Sequence, residues 1–280
     1  MFRRGRWKRW LQCLLVLVLV LFGFVYWASR TVSPSLADGV TDQNVRLALA
    51  GEHVSVTLYF PKQRENAPLV VVAHGFTRSR RNMAGWGADL AAQGFLVAVP
   101  TQPALADHTL NGKALAALVD HLRQGHRPPS VALMGFSMGG LTTLLATQHT
   151  SVDVWVGLDP VDMSGEGRKV AANLQVPTAV LCAEPEAWNM RGNGKAIAQA
   201  LLQPKLLARI KGATHLDAES PTDLLGQLAC GFVDADCQAQ FKRYASAFLR
   251  ATLLKDLAAE QEMMRVANDP GLELLKPAVP

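Results

Sequence analysis

A serine between two glycines is the residue of this chain that is best suited to covalent chemistry. Ser137 lies in Gly135-Phe136-Ser137-Met138-Gly139, which follows the apolar run Val131-Ala132-Leu133-Met134 and precedes Leu141-Thr142-Thr143-Leu144-Leu145. A buried strand, a tight turn with a central serine and a helix make up a nucleophile elbow. The strained turn leaves its neighbours almost no room for side chains, so it favours glycine on both sides. A plain Gly/Ser turn explains the glycines but not the serine, and we predict Ser137 as a nucleophile.

A serine hydroxyl needs a base, and His215 is the best candidate among the seven histidines. It follows the predicted strand Leu206–Lys211 and therefore lies at the edge of the sheet where Ser137 emerges. The alternative is a solvated loop residue. We expect His74 to brace its own loop by hydrogen bonds. An ordinary surface role is expected for His53, His108, His121 and His126, and His149, at the end of the elbow helix, should point away from the pocket.

Several carboxylates could hold the histidine. Asp159 ends one predicted strand and is followed by proline, whereas Glu184 and Glu186 follow the next strand. We prefer Asp159, because a strand-end aspartate is well placed to accept the histidine N–H and aspartate is the commoner acid in this role. Glu186, Glu184 and Asp162 remain alternatives, and a turn cap is the non-catalytic role for Asp159.

Two backbone N–H groups must face the oxyanion of an acyl-transfer intermediate. Met138, directly after the serine, supplies one, and Phe76, in the loop after a predicted strand, is the expected source of the other. The neighbouring Arg78, Arg80 and Arg81 could favour an anionic substrate, but a solvated face is the preferred interpretation.

These residues must be positioned by strands that alternate with helices. The predicted strands are Val54–Phe60 at an edge, Leu69–Ala73, Phe95–Val99, the elbow strand, Val152–Leu158, Thr178–Leu181 and Leu206–Lys211. The predicted helices are Met83–Gln93, Asn111 or Gly112 to Gln124, the elbow helix, Lys195–Leu202 and Ala239–Leu257. This alternation predicts an α/β fold with a mostly parallel sheet that is covered by helices on both faces.

Composition limits the partners. The net charge of +5 comes from five basic residues within the first ten positions, and the rest of the chain has 23 basic and 23 acidic groups. We therefore expect no nucleic-acid partner. The sequence contains neither a metal-ligand spacing nor a phosphate loop, so neither a metal nor a cofactor is predicted.

The N-terminal segment predicts a membrane anchor. Leu11–Ala28 carries no charge over 18 residues, has aromatic residues at both ends and follows the basic cluster. We expect residues 1–30 to anchor the chain in the inner (plasma) membrane with the catalytic domain on the periplasmic side; a cleaved signal peptide and secretion are the alternative. A linker over 31–50, a catalytic domain over 51–257 and a C-terminal tail over 258–280, loosely attached from Asn268 onward, complete the predicted organisation.

The four cysteines fit an exported protein. Cys13 lies in the apolar run and Cys182 in a predicted core strand. Cys230 and Cys237 flank a polar loop and predict a disulfide in an oxidising compartment, with two unpaired surface thiols as the alternative.

The order serine, acid, histidine with a His74-Gly75-Phe76 loop resembles the α/β-hydrolase superfamily from about Val54 to Leu254. That loop, the serine motif and Leu158-Asp159-Pro160-Val161-Asp162 are similar to the branch of chlorophyllases and platelet-activating-factor acetylhydrolases. Gly75-Phe76-Thr77, Trp86 and Ser137-Met138-Gly139-Gly140 are similar to cutinase-like polyester hydrolases. Those enzymes carry threonine at the position of Asp159 and aspartate near Glu186, so the resemblance favours the first branch.

The resemblance implies a serine hydrolase that cleaves small-molecule or lipid-like carboxylic esters through an acyl-enzyme. Short loops between the core elements indicate that no large lid covers the pocket. Trp86, Trp155 and Trp188 could line it, although Trp155 is expected in the core. The alternatives are a serine peptidase or thioesterase on the same fold and a non-catalytic binding protein. The oligomeric state is not predicted.

Overall fold

A mixed β-sheet forms the centre of the computed structural model, which describes residues 4–63 and 65–276, without the side chains of residues 4–9, 11 and 12. Its strands are β1 (Thr41–Leu49), β2 (Glu52–Phe60), β3 (Leu69–Ala73), β4 (Leu96–Pro100), β5 (Val131–Phe136), β6 (Val154–Leu158), β7 (Thr178–Cys182), β8 (Pro204–Ile210) and β9 (Leu272–Leu274). They pair in the order β1-β2-β4-β3-β5-β6-β7-β8-β9. The six central strands, β4, β3, β5, β6, β7 and β8, run parallel to one another. Strands β1, β2 and β9 pair antiparallel with their neighbours.

Helices cover both faces of the sheet, as predicted. They are α1 (Arg4–Ala28), α2 (Ala84–Ala92), α3 (His108–His126), α4 (Met138–Ala146), α5 (Glu166–Ala171), α6 (Gly194–Ala200), α7 (Leu224–Cys230), α8 (Ala235–Leu249) and α9 (Leu257–Arg265). Alternate residues of each strand face opposite sides of the sheet and therefore pack into two separate hydrophobic cores. Val70 of β3 belongs to the core under α2 and α8, and its neighbour Val71 to the core under α3, α4 and α6.

The predicted edge strand is not at the edge. β1 pairs with β2 along its full length, from Thr41 opposite Phe60 to Leu49 opposite Glu52, and it begins inside the segment predicted as a linker. Its first four residues, Thr-Asp-Gln-Asn, are polar and exposed, and its apolar alternation is confined to the second half, where Val45, Leu47 and Leu49 pack toward the core; the sequence analysis missed this short pattern.

The last predicted helix is interrupted. Helix α8 ends at Leu249, a π-helical turn spans Arg250–Leu254, and Lys255 adopts a left-handed conformation at φ 56° before Asp256 caps α9. Beyond α9, β9 pairs with β8 and buries Leu272, so part of the predicted loose tail belongs to the sheet.

The predicted membrane anchor is not confirmed. The basic residues of positions 1–9 and the start of the apolar run lie outside the described side chains. In the part of the chain that the structure describes, no helix has both the length and the apolar character that a membrane span requires.

The predicted disulfide is also wrong, because Cys230 and Cys237 are both free thiols. Cys230 ends α7, where it is half-buried. Cys237 lies in the first turn of α8 and is buried, with its Sγ 3.8 Å from the carbonyl oxygen of Lys211. The two thiols therefore differ in burial.

Candidate active site

The turn after β5 holds Ser137 in a strained conformation, with φ 55° and ψ −124° at the N-terminus of α4. A residue in such a region costs on the order of 1–3 kcal/mol and needs support from its surroundings. The Ser137 N–H donates to the carbonyl oxygen of Leu158 at 3.0 Å, and its own carbonyl oxygen accepts from Val161 at 3.0 Å. These bonds attach the turn to the end of β6.

The glycines of this turn are required by close backbone contacts. A Cβ atom at Gly135 would lie 2.2 Å from the carbonyl oxygen of Gly139, and one at Gly139 would lie 2.5 Å from that of Ala73. Both distances are far below van der Waals contact. The helix α4 can therefore approach β3 and β5 only because neither glycine carries a side chain.

Three polar side chains from three strand ends are connected by hydrogen bonds. His215 Nε2 lies 2.9 Å from Ser137 Oγ, and His215 Nδ1 lies 2.6 Å from Asp159 Oδ2. All three are buried, with exposed fractions of 6% for Ser137, 5% for His215 and 1% for Asp159. A carboxylate accepts the proton on Nδ1, which leaves Nε2 as the acceptor for the serine hydroxyl.

Asp159 is held from several sides. Its backbone has a positive φ of 41°, its N–H donates to Leu181 at 2.6 Å, and Oδ1 accepts the N–H of Ala183 at 3.0 Å. Oδ2 accepts a second hydrogen bond from Asn189 Nδ2 at 3.0 Å. The loop after β7 therefore orients the carboxylate while β7 itself holds the backbone of Asp159, so the direction of the carboxylate toward the histidine does not depend on the His215 bond.

Asn189 is a residue that the sequence analysis did not identify. It is fully buried; besides Asp159, its Nδ2 donates to the carbonyl of Glu184 at 2.8 Å, and its Oδ1 accepts from the N–H groups of Glu186 and Gly192. Because the side chain of Asn189 bonds to backbone groups on both sides of it in the loop after β7, it holds this loop in a folded conformation. The nearby Asn-Gly pattern of the loop is too common to have indicated this role.

The alternative acids do not contact the imidazole. Glu186 accepts the backbone N–H of His215. Glu184 accepts the N–H of Gly212 at 3.2 Å and lies 3.8 Å from Arg209. Asp162 caps α5 by accepting the N–H groups of Gly167 and Arg168, a role that an aspartate often has in a turn.

The loop after β3 lies against the serine, with a Cβ at Gly75 only 3.0 Å from Ser137 Cβ. The N–H of Phe76 has no hydrogen-bond acceptor among residues 4–63 and 65–276. Met138 is the first residue of α4, where helical N–H groups lack intrahelical acceptors. The two backbone groups predicted to face an oxyanion are therefore both free to donate.

His74 braces this loop, as predicted. Its Nε2 accepts the N–H of Gln102 at 3.0 Å and its Nδ1 lies 2.8 Å from the carbonyl oxygen of Gly75, an arrangement that requires a neutral ring with the proton on Nδ1. Burial lowers the pKa of His74 to about 4, which keeps the ring neutral near pH 7.

The arginines after Phe76 are not a common solvated face. Arg78 is largely buried and forms ion pairs with Glu219 at 2.8 Å and Asp223 at 2.9 Å. Arg80 donates to the hydroxyls of Thr57 and Thr101. Among the three, Arg81 alone is exposed. The predicted solvated face is therefore wrong for Arg78, whose charge is paired inside the fold with Glu219 and Asp223.

A cleft of about 200 Å³ opens beside the serine motif, lined by residues that include Phe76, Leu105, His108 and Met138. Phe76 and Leu105 are exposed at 49% and 64% of their surface, so the cleft has an apolar rim. Trp188, on the loop that Asn189 holds, is also exposed. Trp86 and Trp155 are buried in the core, so Trp86 does not line the cleft.

Comparison with known proteins agrees with this geometry. Residues 70–272 match the model of a family described as alpha/beta hydrolase. The chain is 25% identical to Cutinase 1 of Thermobifida cellulosilytica over 70% of this chain and 80% of that protein, and 25% identical to a cutinase of Thermobifida fusca over 70% of each. It is 31% identical to bis(hydroxyethyl) terephthalate hydrolase of Streptomyces coelicolor over 46% of this chain and 43% of that protein. The similarity to cutinases predicted from the motifs is confirmed, and the preference for the chlorophyllase branch stays a prediction.

Proposed function

Since this chain belongs to the alpha/beta hydrolase family and is a carboxylic ester hydrolase, we propose that it acts through an acyl-enzyme formed on Ser137. The roles are Ser137 as nucleophile, His215 as general base and Asp159 as the acid that orients the imidazole. The observation that carries this proposal is the continuous chain of contacts from Ser137 Oγ through the two imidazole nitrogens to Asp159.

The geometry supports a two-step mechanism. His215 Nε2 takes the hydroxyl proton as Ser137 Oγ bonds to the ester carbonyl carbon and the carbonyl electrons move to oxygen. The N–H groups of Met138 and Phe76 donate to this oxyanion; one such donor is worth about 10²–10³ in rate. The bond to the alcohol then breaks as the alcohol oxygen takes the proton from His215. Water repeats the sequence on the acyl-enzyme and releases the acid.

The substrate proposed is an ester whose acyl part is small and apolar enough for the cleft beside Phe76 and Met138. The similarity to a terephthalate ester hydrolase adds aromatic diesters to this class. The exposed apolar rim favours substrates that extend beyond the cleft. Secretion after signal cleavage, the alternative from the N-terminal sequence, is the proposed route of the enzyme to such substrates.

The test uses the full chain, its Ser137→Ala variant and Ser151→Ala, a change of an exposed serine at the opposite end of the sheet. We expect p-nitrophenyl esters from acetate to octanoate to be hydrolysed by the parent and by Ser151→Ala. Ser137→Ala should lose activity by several orders of magnitude and should not be labelled by a fluorophosphonate, because the attacking oxygen is absent.

Two results would contradict the proposal. Equal activity in the parent and Ser137→Ala would mean that the ester is cleaved elsewhere. A folded parent that neither turns over these esters nor reacts with the fluorophosphonate would favour the non-catalytic binding protein.

A further inference from the structure

Two loops carry the oxyanion donor and the base that must face the same carbonyl group of a substrate. The β3 loop, defined here as residues 74–79, contains Phe76, and the β8 loop, residues 211–223, contains His215. They follow strands that are not neighbours, because β5, β6 and β7 lie between β3 and β8. The backbone pairing of the sheet therefore does not by itself set the distance between the two loops.

A buried ion pair joins the two loops. Arg78 in the β3 loop donates to Glu219 in the β8 loop through two parallel bonds, Nε to Oε2 at 2.8 Å and Nη2 to Oε1 at 2.9 Å. A third nitrogen, Nη1, lies 2.9 Å from Asp223 Oδ2. The Glu219 side chain is fully buried and that of Arg78 is 14% exposed. A two-bond fork of this type fixes orientation as well as distance.

Asn82 closes the same cluster. Its Nδ2 donates to Glu219 Oε1 at 2.8 Å and to Asp223 Oδ2 at 3.0 Å, while its carbonyl oxygen accepts the N–H of Ser220 at 3.0 Å. Because both carboxylates receive bonds from Asn82 and Arg78 together, neither of these acidic groups is left without a partner in the interior. The hydrogen-bonding capacity of the two buried acids is therefore used within the cluster.

The backbone of α7 leaves space for the guanidinium only because it carries a glycine. A Cβ at Gly226 would lie 2.2 Å from Nη2 of Arg78. The N–H of Gly226 in turn donates to Asp223 Oδ1 at 2.7 Å. The start of α7 is thus built around the ion pair.

We propose that Arg78 and Glu219 are a positioning pair that fixes the β3 loop against the β8 loop, so that the oxyanion donor Phe76 and the base His215 address the same carbonyl; this rests on the function proposed above. Phe76 is two residues from Arg78, and His215 is four residues from Glu219. A displacement at the ion pair is therefore transmitted to the reacting groups over a very short length of backbone.

The expected effect is on the chemical step more than on substrate binding. A misplacement of about 1 Å between reacting groups can lower a rate by about 10²-fold. Arg78→Lys keeps the charge but replaces the two-bond fork by a single ammonium. Glu219→Gln keeps the size and one acceptor oxygen but removes the charge. Each variant should lower kcat by about 10- to 100-fold with KM changed less than about threefold.

The experiment compares kcat, KM and the inhibition constant of an alkyl boronic acid for the full-length parent, Arg78→Lys, Glu219→Gln and the double variant. Boronic acids form a tetrahedral adduct on a nucleophilic serine and so report on the oxyanion donors and the base together. Arg123→Lys is the matched control. The guanidinium of Arg123 joins α3 to the loop before β6, donating to the Thr150 hydroxyl at 2.9 Å and to the Ser151 carbonyl oxygen at 2.6 Å, and this contact lies at the opposite end of the strands from Ser137. Assays are run well below the thermal midpoint of each variant.

The proposal predicts that boronate affinity falls by about the same factor as kcat/KM in Arg78→Lys and Glu219→Gln. The double variant should lose little more kcat/KM and boronate affinity than either single variant. Arg123→Lys should keep the kcat/KM and the boronate affinity of the parent. Parent-like kcat and boronate affinity in either folded variant would overturn it, even if the thermal midpoint falls, because the pair would then support only the fold. A parent that neither turns over esters nor binds the boronate would instead refute the underlying ester hydrolase function.

Discussion

Among our predictions, the identity of the acid is the one for which the contacts give the sharpest test. Asp159→Asn and Glu186→Gln are changes of the same kind, a carboxylate to its amide. They affect two groups that both bind His215, the first at the imidazole Nδ1 and the second at the backbone N–H. Only the first contact changes its chemistry when the imidazole gains a proton during catalysis.

The magnitude follows from the donors around Asp159. Its two oxygens accept three N–H groups, from His215 at 2.6 Å, Asn189 at 3.0 Å and Ala183 at 3.0 Å. An amide has one acceptor oxygen and turns its NH₂ toward at least one of these donors, and it lacks the charge that stabilises an imidazolium. We expect kcat/KM to fall by about 10³–10⁴, which corresponds to about 4–5 kcal/mol of transition-state stabilisation.

Glu186→Gln should lower kcat/KM less than about tenfold, because a glutamine oxygen still accepts the backbone N–H of His215. The assay is steady-state hydrolysis of p-nitrophenyl butyrate, with far-ultraviolet circular dichroism and a thermal midpoint to check that each variant is folded. A thousandfold loss in Glu186→Gln together with a loss below tenfold in Asp159→Asn would refute the assignment and make Glu186 the acid.

Two further predictions concern stability. Gly139→Ala should lower the free energy of unfolding by about 1–3 kcal/mol in urea titrations, because its Cβ would lie 2.5 Å from a backbone oxygen. Gly125→Ala in α3, where a Cβ meets nothing within 4 Å, should be neutral or stabilising, and equal losses in both would contradict the crowding argument. Burial lowers the pKa of His74 to about 4, so between about pH 6.5 and pH 4 the unfolded chain binds a proton that the folded chain does not. The free energy of unfolding should therefore decrease as the pH is lowered through this range, with a slope of at most about 1.4 kcal/mol per pH unit. His74→Asn should lose that part of the pH dependence, and parallel stability curves for the two proteins would argue against a neutral buried ring.

The local sequence carries most of the information about the serine turn and the central strands. The all-apolar run of β3 and the strand before Ser137 predict buried parallel strands, and both are present. Their carboxyl ends meet at one edge of any such sheet, so the sequence also places His215 and the candidate acids near Ser137. This works because strand formation and turn geometry depend on residues close together in the chain.

The sequence analysis missed the two strands in which the apolar pattern is short and pairing with a neighbouring strand completes the element. Strand β1 is polar along its exposed face and exists because its backbone bonds to β2. Strand β9 has three residues and completes the other edge by pairing with β8. In both cases the apolar alternation is short, Val45, Leu47 and Leu49 in β1 and Leu272 and Leu274 in β9, and hydrogen bonds to the partner strand stabilise the element.

The contacts that distinguish the candidate acids come from tertiary structure. Asp159, Glu184 and Glu186 all follow strand ends at the same edge, so their spacing in the chain does not distinguish them. The buried amide of Asn189 folds the loop after β7 so that Asp159 faces the imidazole ring, Glu186 the backbone of His215 and Glu184 the N–H of Gly212.

Arg78 shows the same division between local pattern and tertiary contact. Its place in a run of arginines predicts solvent exposure, because charged side chains are seldom buried without a partner. The partner is Glu219, 141 residues further along the chain. The chain by itself therefore determined the serine turn and the strand ends around it, through local propensity and crowding. Burial of the charges and the direction of each carboxylate came only from the folded structure, because both depend on groups that meet across the sheet.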